Sequence, residues 1–257
     1  MRGSVVIINS ICYVPRMKWS FFFIVAYCIN LIGADNPIYL LTESRTGTHW
    51  SSYIIQAFTT KPLYSLYGNK LWDIRYPLEV DDELEPIHHA HLVKKIPKDI
   101  KKKNALLFVT LRDYHEVVLR GPMAEKHKKL TSGMRHLLDR YASILRYYDN
   151  YPASSRYLIQ YENLVTKPNQ EIAAIFQFLQ DHKVHKSEGA LEEFLDHYEE
   201  HRNWMVNAYD GKRGSYSKGK KVQLYKSKAS PELIKTMRKY LKKTHPLIWN
   251  KYFSRYR

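Results

Sequence analysis

The chain is expected to fold as a single α/β domain, with a central parallel sheet flanked by helices on both faces. Three observations predict this. Ile38–Thr42 is a short apolar run of the kind that suits a parallel strand buried on both faces, and Ala105–Asp113 ("ALLFVTLRD") is the clearest strand in the chain. Strand-like runs alternate with helix-like ones, which is the pattern of a parallel sheet with crossover helices. The length of 257 residues with 44% hydrophobic content is enough for one large core.

The elements follow in order. After Ile38–Thr42, Thr48–Phe58 reads as a helix. Residues 60–86 are mixed, with Pro62, Pro77 and Pro86 marking loops and an acidic run from Glu79 to Glu85. Pro86–Val93 ("PIHHAHLV") is a short strand, and the basic segment Lys94–Lys103 leads into the strand that ends at Arg112 and Asp113. Helical patterns run on to Tyr151, and Arg156–Leu164 is another strand. Pro168 sits where a first helical turn accepts it, since its missing N–H is not needed there. A helix is expected over Leu191–His201, a Gly/Lys/Ser-rich loop over Asp210–Lys221, and a basic amphipathic helix or helices over Pro231–Tyr252.

Before the domain at 35–257 stands a different segment, 1–34. Met17 and Lys18 precede the apolar run Trp19–Ile32, and Gly33, Ala34 and Asp35 follow. A basic start, an apolar middle and small residues at the end have the form of a signal peptide or anchor, with Met17 as a candidate start. The run falls short of the roughly 20 residues of a membrane span. The segment points to export, an organelle lumen or membrane association, and to the cytoplasm if it is not used. The two cysteines, Cys12 and Cys28, both lie in it, so the domain has no disulfide framework, thiolate metal site or cysteine nucleophile.

Forty-one Lys and Arg against 25 Asp and Glu give a net charge of +16. That balance attracts anions without choosing among nucleic acid, membrane, phosphorylated cofactor or acidic glycan. The stretch "TESRTGTHW", Thr42–Trp50, is a narrower signal. Backbone N–H groups at a helix start are unpaired and the helix dipole adds positive character, so a strand–loop–helix junction holds anions. Arg45 adds a fixed charge, and Thr46, Gly47 and Thr48 add small size and hydroxyl donors. The plainer reading is an ordinary N-cap by Thr46 or Thr48. No G-x-x-x-x-G-K-[ST] occurs, which counts against a P-loop nucleotide kinase. A non-catalytic basic module for acidic glycan or nucleic acid is the other alternative, although no nucleic-acid motif appears.

These residues resemble the 5′-phosphosulfate loop of sulfotransferases, roughly T-Y-P-[KR]-S-G-T-T-W. Thr42, Arg45, Gly47, Thr48 and Trp50 match, Thr46 replaces serine, and Glu43, Ser44 and His49 depart from the pattern. "VTLRDYHEVVLR" resembles the family's 3′-phosphate segment at Arg112, Asp113 and Glu116, with Arg120 where serine is usual. "YENLVTKPNQEIAAIFQFL", Tyr161–Leu179, is similar to the Y-E-[DN]-L segment and the helix after it. The resemblance implies a P-loop-like fold and a donor, 3′-phosphoadenosine-5′-phosphosulfate, with no metal required. It implies binding of that donor by Arg45, Thr46, Gly47, Thr48, His49 and Trp50, by Arg112 and Arg120 at the 3′-phosphate, and by Tyr161 near adenine. A plain surface ion pair of Arg112 with Asp113 is the alternative at that position. "HHAHL" resembles the family's K-T-H-L stretch, so His91 falls on the general base and His89 on the lysine. A metal patch or solvated face of histidines, or a carboxylate base at Glu43 or in Glu79–Glu85, are the alternatives. The loop with Lys212, Arg213 and Gly214 resembles the basic lid over the donor. The acceptor implied is a hydroxyl or amine on a small molecule or glycan, with no nucleic acid partner.

Overall fold

Alternation along β1 (Ile38–Leu41) sets the layers. Ile38 and Leu40 point to one face, Tyr39 and Leu41 to the other, and all four are buried. β5 (Leu106–Leu111) repeats the pattern: Leu106 and Phe108 join the first face, Leu107, Val109 and Leu111 the second. A strand apolar at every position, as β1 is and β5 is but for the buried Thr110, has this use, because both of its faces must be covered. The computed structural model describes residues 36–66, 70–71, 77–100, 104–119, 129–207 and 229–256. Segment 1–34, Arg120 and the loop carrying Lys212, Arg213 and Gly214 lie outside the described residues.

Among the described residues, six strands form one sheet: β1, β2 (Leu63–Ser65), β3 (Lys70–Leu71), β4 (Ile87–Ala90), β5 and β6 (Arg156–Gln160), in the order β3-β2-β4-β1-β5-β6. Five are parallel, and only β3 runs antiparallel, against β2 at the edge. β1 lies between β4 and β5, with Ile38 in register with Ile87 and Leu106. The strand order therefore reverses at β1, and the crevice beyond the carboxyl ends of β1, β4 and β5 is where ligands bind in open α/β sheets.

One face is covered by α1 (Thr48–Thr59), α5 (Pro168–Asp181) and α6 (Ala190–Asp196), and the other by α2 (Tyr114–Leu119), α3 (Ser132–Asp149), α8 (Pro231–Thr244) and the C-terminal turns. Between these come α4 (Tyr161–Thr166) and α7 (Tyr198–Asn207), and after α8 come α9 (Pro246–Ile248) and a π-helical turn at Trp249–Phe253. Caps fix several ends. Thr131 Oγ1 accepts from Met134 N at 3.2 Å, Ser230 Oγ accepts from Leu233 N at 3.3 Å, and Pro168 and Pro231 open their helices. Among the described residues no helix is long and apolar enough to cross a membrane.

Several expected elements change form. Residues 161–164 are the start of helix α4 and not the end of a strand. Two carboxylates hold this corner: Glu171 Oε1 accepts from Gln160 N at 3.0 Å and Glu162 Oε1 from Asp113 N at 2.8 Å. Pairing of β6 with β5 stops at Gln160 opposite Leu111, so the ladder offers Tyr161 no partner. The helix expected over Leu191–His201 is two, broken at His197, and Pro246 divides the expected C-terminal helix after Thr244. β2 and β3 emerge from the stretch at 60–86 read only as mixed, with prolines marking its loops.

Candidate active site

Everything at the site hangs on the turn after β1. Thr42 is fully buried, and its Oγ1 lies 2.8 Å from Thr48 Oγ1 and 3.1 Å from His89 Nε2. Thr46 Oγ1 donates to the Glu43 carbonyl at 2.8 Å. Both threonines proposed as N-caps are thus engaged elsewhere, and no side chain caps α1. The N-cap position itself is Gly47, with φ 101°, and Arg45 precedes it with φ 73°. The ordinary N-cap reading fails for this reason: the first turn of α1 starts from Gly47 with no side-chain cap.

Gly47 is required twice over. Its φ is in the left-handed region, and a Cβ there would lie 2.2 Å from Cδ2 of Tyr161. The Tyr161 ring covers the loop, and the Arg112 guanidinium stacks on that ring at 4.0 Å from its centroid. Arg112 is fully buried. Its Nε and Nη2 donate to Glu116 Oε2 at 3.0 and 2.6 Å, and its Nη1 donates to the Arg45 carbonyl at 3.2 Å. The surface pair of Arg112 with Asp113 is corrected by this: Arg112 pairs with Glu116 one helical turn on. Its other backbone atoms are clamped by Tyr141 of α3, whose hydroxyl accepts from Arg112 N at 2.7 Å and donates to its carbonyl at 2.8 Å. Arg45 is exposed at the rim of the loop. Trp50 is 2% exposed, stacked on Tyr53 with centroids 5.5 Å apart and flanked by Phe194 and Tyr198. His49 is half-buried on the first turn of α1.

The histidines separate by strand alternation. His88 points to the far face, stacks on Tyr39 with centroids 4.8 Å apart and meets Glu85 at 3.0 Å. His89 and His91 share the site face, ring centroids 4.5 Å apart. A three-histidine patch cannot form on this geometry, and among the described residues no group of three His, Cys, Asp or Glu is placed to hold a metal. His91 Nδ1 lies 2.7 Å from the Thr42 carbonyl. A carbonyl oxygen only accepts, so Nδ1 carries the proton and Nε2 is the lone-pair nitrogen. Burial lowers the pKa of His91, with Arg140 adding to the effect and the Thr42 carbonyl and Glu43 opposing it. Burial pushes His89 well below the ordinary range, helped by His91 and His49. Burial thus favours the neutral form of His89 at the position where the family pattern has a lysine.

The carboxylate alternatives for the base are placed otherwise. Glu43 is fully buried and chelated through both oxygens by Arg140 of α3, while Ser44 N donates to Glu43 Oε1 at 2.7 Å. The acidic run lies by the far end of α1, where Asp81 N donates to the Thr60 carbonyl at 2.9 Å. Twelve residues of helix separate it from the loop, about 18 Å at 1.5 Å per residue. Arg140 is the site residue that sequence reasoning misses. It is one of many basic residues on a helix with no motif, and the only hint is the acidic Glu43 inside the loop expected to hold an anion.

This arrangement has a counterpart among solved structures. Over 87% of this chain and 90% of the other, it matches mouse sulfotransferase SULT7A1 complexed with PAP, with a TM-score of 0.54 and 12% sequence identity. The chain has the sulfotransferase fold. No protein-family model matches the sequence, and neither does any curated protein. In this sulfotransferase-fold domain, the parallel sheet brings Thr42, Glu43, Arg45, Gly47, Thr48, His89, His91, Arg112 and Tyr161 together at the carboxyl edge of β1, β4 and β5.

Proposed function

We propose that the protein is a sulfotransferase, moving a sulfuryl group from 3′-phosphoadenosine-5′-phosphosulfate to a hydroxyl or amine on a small molecule or glycan. The observation that carries this reading is the coupling of an anion loop and a base through one residue. Thr42 ties the loop by its hydroxyl to Thr48 and fixes the His91 tautomer by its carbonyl. A nucleotide kinase loop has no need of a histidine base so placed, and a passive polyanion surface needs neither buried partner.

The residues fit an anionic donor. Uncapped first-turn amides of α1 and the exposed Arg45 face one crevice, and the loop is shaped by Gly47 under Tyr161. The donor supplies an activated sulfuryl group: a new bond forms from sulfur to the acceptor oxygen or nitrogen, and the bond from sulfur to the 5′-phosphate oxygen breaks. His91 Nε2 takes the acceptor proton as that bond forms, a role worth about 10²–10⁴-fold. Its lowered pKa keeps it unprotonated at neutral pH. Arg45 and the loop amides steady the charge left on the departing phosphate, fixed groups aimed where charge develops. Arg112 supports this loop from beneath through the Arg45 carbonyl.

Thermal stabilisation by adenosine 3′,5′-bisphosphate, ATP with Mg²⁺ and a heparin-like polyanion tests the reading. A ligand at 100 times its dissociation constant adds about 2.7 kcal/mol. The bisphosphate is expected to act alone or most strongly, and a response to ATP with Mg²⁺ in place of it would overturn the proposal. Labelled-sulfate transfer with His91→Ala then locates the base, since full activity in that variant removes His91 from the mechanism.

A further inference from the structure

Glu43 presents a conflict that the rest of the site does not explain. It is a fully buried carboxylate inside the loop read here as holding a doubly anionic group, where the sulfotransferase pattern has a neutral tyrosine. The nearby lysine position of that pattern is a neutral His89. Left alone, the Glu43 carboxylate would cancel the one fixed positive charge of the loop, Arg45, and set a buried negative charge beside an anion. Arg140 enters from α3, which packs against the turn at Val93–Lys95 just after His91. Its guanidinium spans both Glu43 oxygens, and its side chain is 21% exposed against 0% for Glu43. Bidentate pairing of this kind fixes geometry as well as charge.

We propose that Arg140 is a positioning residue of the site, whose pairing with Glu43 compensates the buried carboxylate of the anion loop, so that the charge of Arg45 is left for the anion, and sets the electrostatic balance around the base His91. The part concerning the donor rests on the sulfotransferase reading above. Glu43 follows directly the Thr42 carbonyl that holds His91, so one chain turn carries both that carbonyl and the carboxylate that Arg140 pairs with. Among the described residues, the titratable and charged groups acting on the histidine pair include Glu43 from the loop, Arg140 from α3, His49 from α1 and the two histidines themselves. Glu43 favours the imidazolium of His91, and Arg140 opposes it. The pair thus lets the loop keep a hydrogen-bonding carboxylate without turning His91 into a cation at neutral pH.

The test uses the full chain and a readout that needs no acceptor. Imidazole NMR titration follows His91, identified by the signals lost in His91→Gln. Arg140→Gln should raise the His91 midpoint, Glu43→Gln should lower it, and Glu43→Gln/Arg140→Gln should return it towards wild type. Calorimetry with adenosine 3′,5′-bisphosphate runs beside it. Arg140→Gln should weaken binding by about tenfold, the same factor as a shift of one pKa unit, and the double variant should recover it. If Arg140→Gln does not fold, Glu43→Gln, which keeps the shape of the pair, carries the titration by itself. Unmoved midpoints in the variants that fold overturn the role of Arg140. A wild-type protein that binds no bisphosphate overturns the donor reading instead, and the titration still decides the inference.

Discussion

Gly47→Ala is the substitution that probes most of the site at once. The backbone there has φ 101°, and a new Cβ would meet Tyr161 Cδ2 at 2.2 Å and Cε2 at 2.5 Å. An L-residue in left-handed conformation costs roughly 1–2 kcal/mol. Forcing the packed ring aside adds about 1–3 kcal/mol, the usual cost of overpacking. Moving Tyr161 also withdraws the face on which Arg112 stacks at 4.0 Å, a contact worth about 2 kcal/mol when desolvated. The contributions overlap, and a loss of at least about 3 kcal/mol is expected, against a total stability of about 5–15 kcal/mol for a typical domain. Urea denaturation of Gly47→Ala, Tyr161→Ala and the double variant separates the parts. In the Tyr161→Ala background the steric part vanishes and only the backbone strain of Gly47→Ala remains, so the two substitutions must be strongly non-additive. Additive losses, or a Gly47→Ala protein as stable as wild type, would refute the packing of loop against ring.

Removing charge from Glu116 by Glu116→Gln leaves Arg112 buried without its ionic partner, and urea denaturation should show a loss of about 3–5 kcal/mol. Arg45→Ala, at an exposed position, should change stability by no more than about 0.5 kcal/mol while lowering labelled-sulfate transfer by about 10²–10³-fold. His89 and His91 both have lowered pKa values when folded, so below the unfolded value near 6.5 the unfolded chain binds more protons. Stability is then full above that pH and falls as pH drops towards the folded values, by at most about 1.4 kcal/mol per unit for each histidine. Chemical denaturation from pH 7.5 to 5 should show this decline, and His89→Gln should flatten it; an unchanged slope would mean His89 is not held neutral.

Much of the site is legible along the chain because its parts are local. The loop Thr42–Trp50 is a strand, a turn and a helix in direct succession, so residue types alone mark it. His89 and His91 lie on one face because strand side chains alternate, and that too needs no tertiary information. Other parts are hidden for an equally physical reason. Arg140 lies 97 residues from Glu43, and nothing about a single arginine on an amphipathic helix marks which carboxylate it will meet. The helix at Tyr161–Thr166 is hidden because Arg156–Leu164 reads as one strand, whereas β6 ends at Gln160, whose N–H is taken by Glu171, and Glu162 of the helix is held by Asp113 N.

By itself the sequence determines the α/β class, the buried parallel strands, the position of the anion loop and the candidate base, since period, turn chemistry and helix starts are properties of neighbouring residues. Only the tertiary structure decides what each charged group faces. It buries Arg112 on Glu116 and the Arg45 carbonyl, where a surface pair with Asp113 was the alternative reading, holds His89 neutral where the family pattern has a lysine, gives His91 its Nε2 lone pair through the Thr42 carbonyl, and pairs Glu43 with Arg140. Charge and protonation depend on burial and on partners brought from distant parts of the chain, and folding alone assembles those.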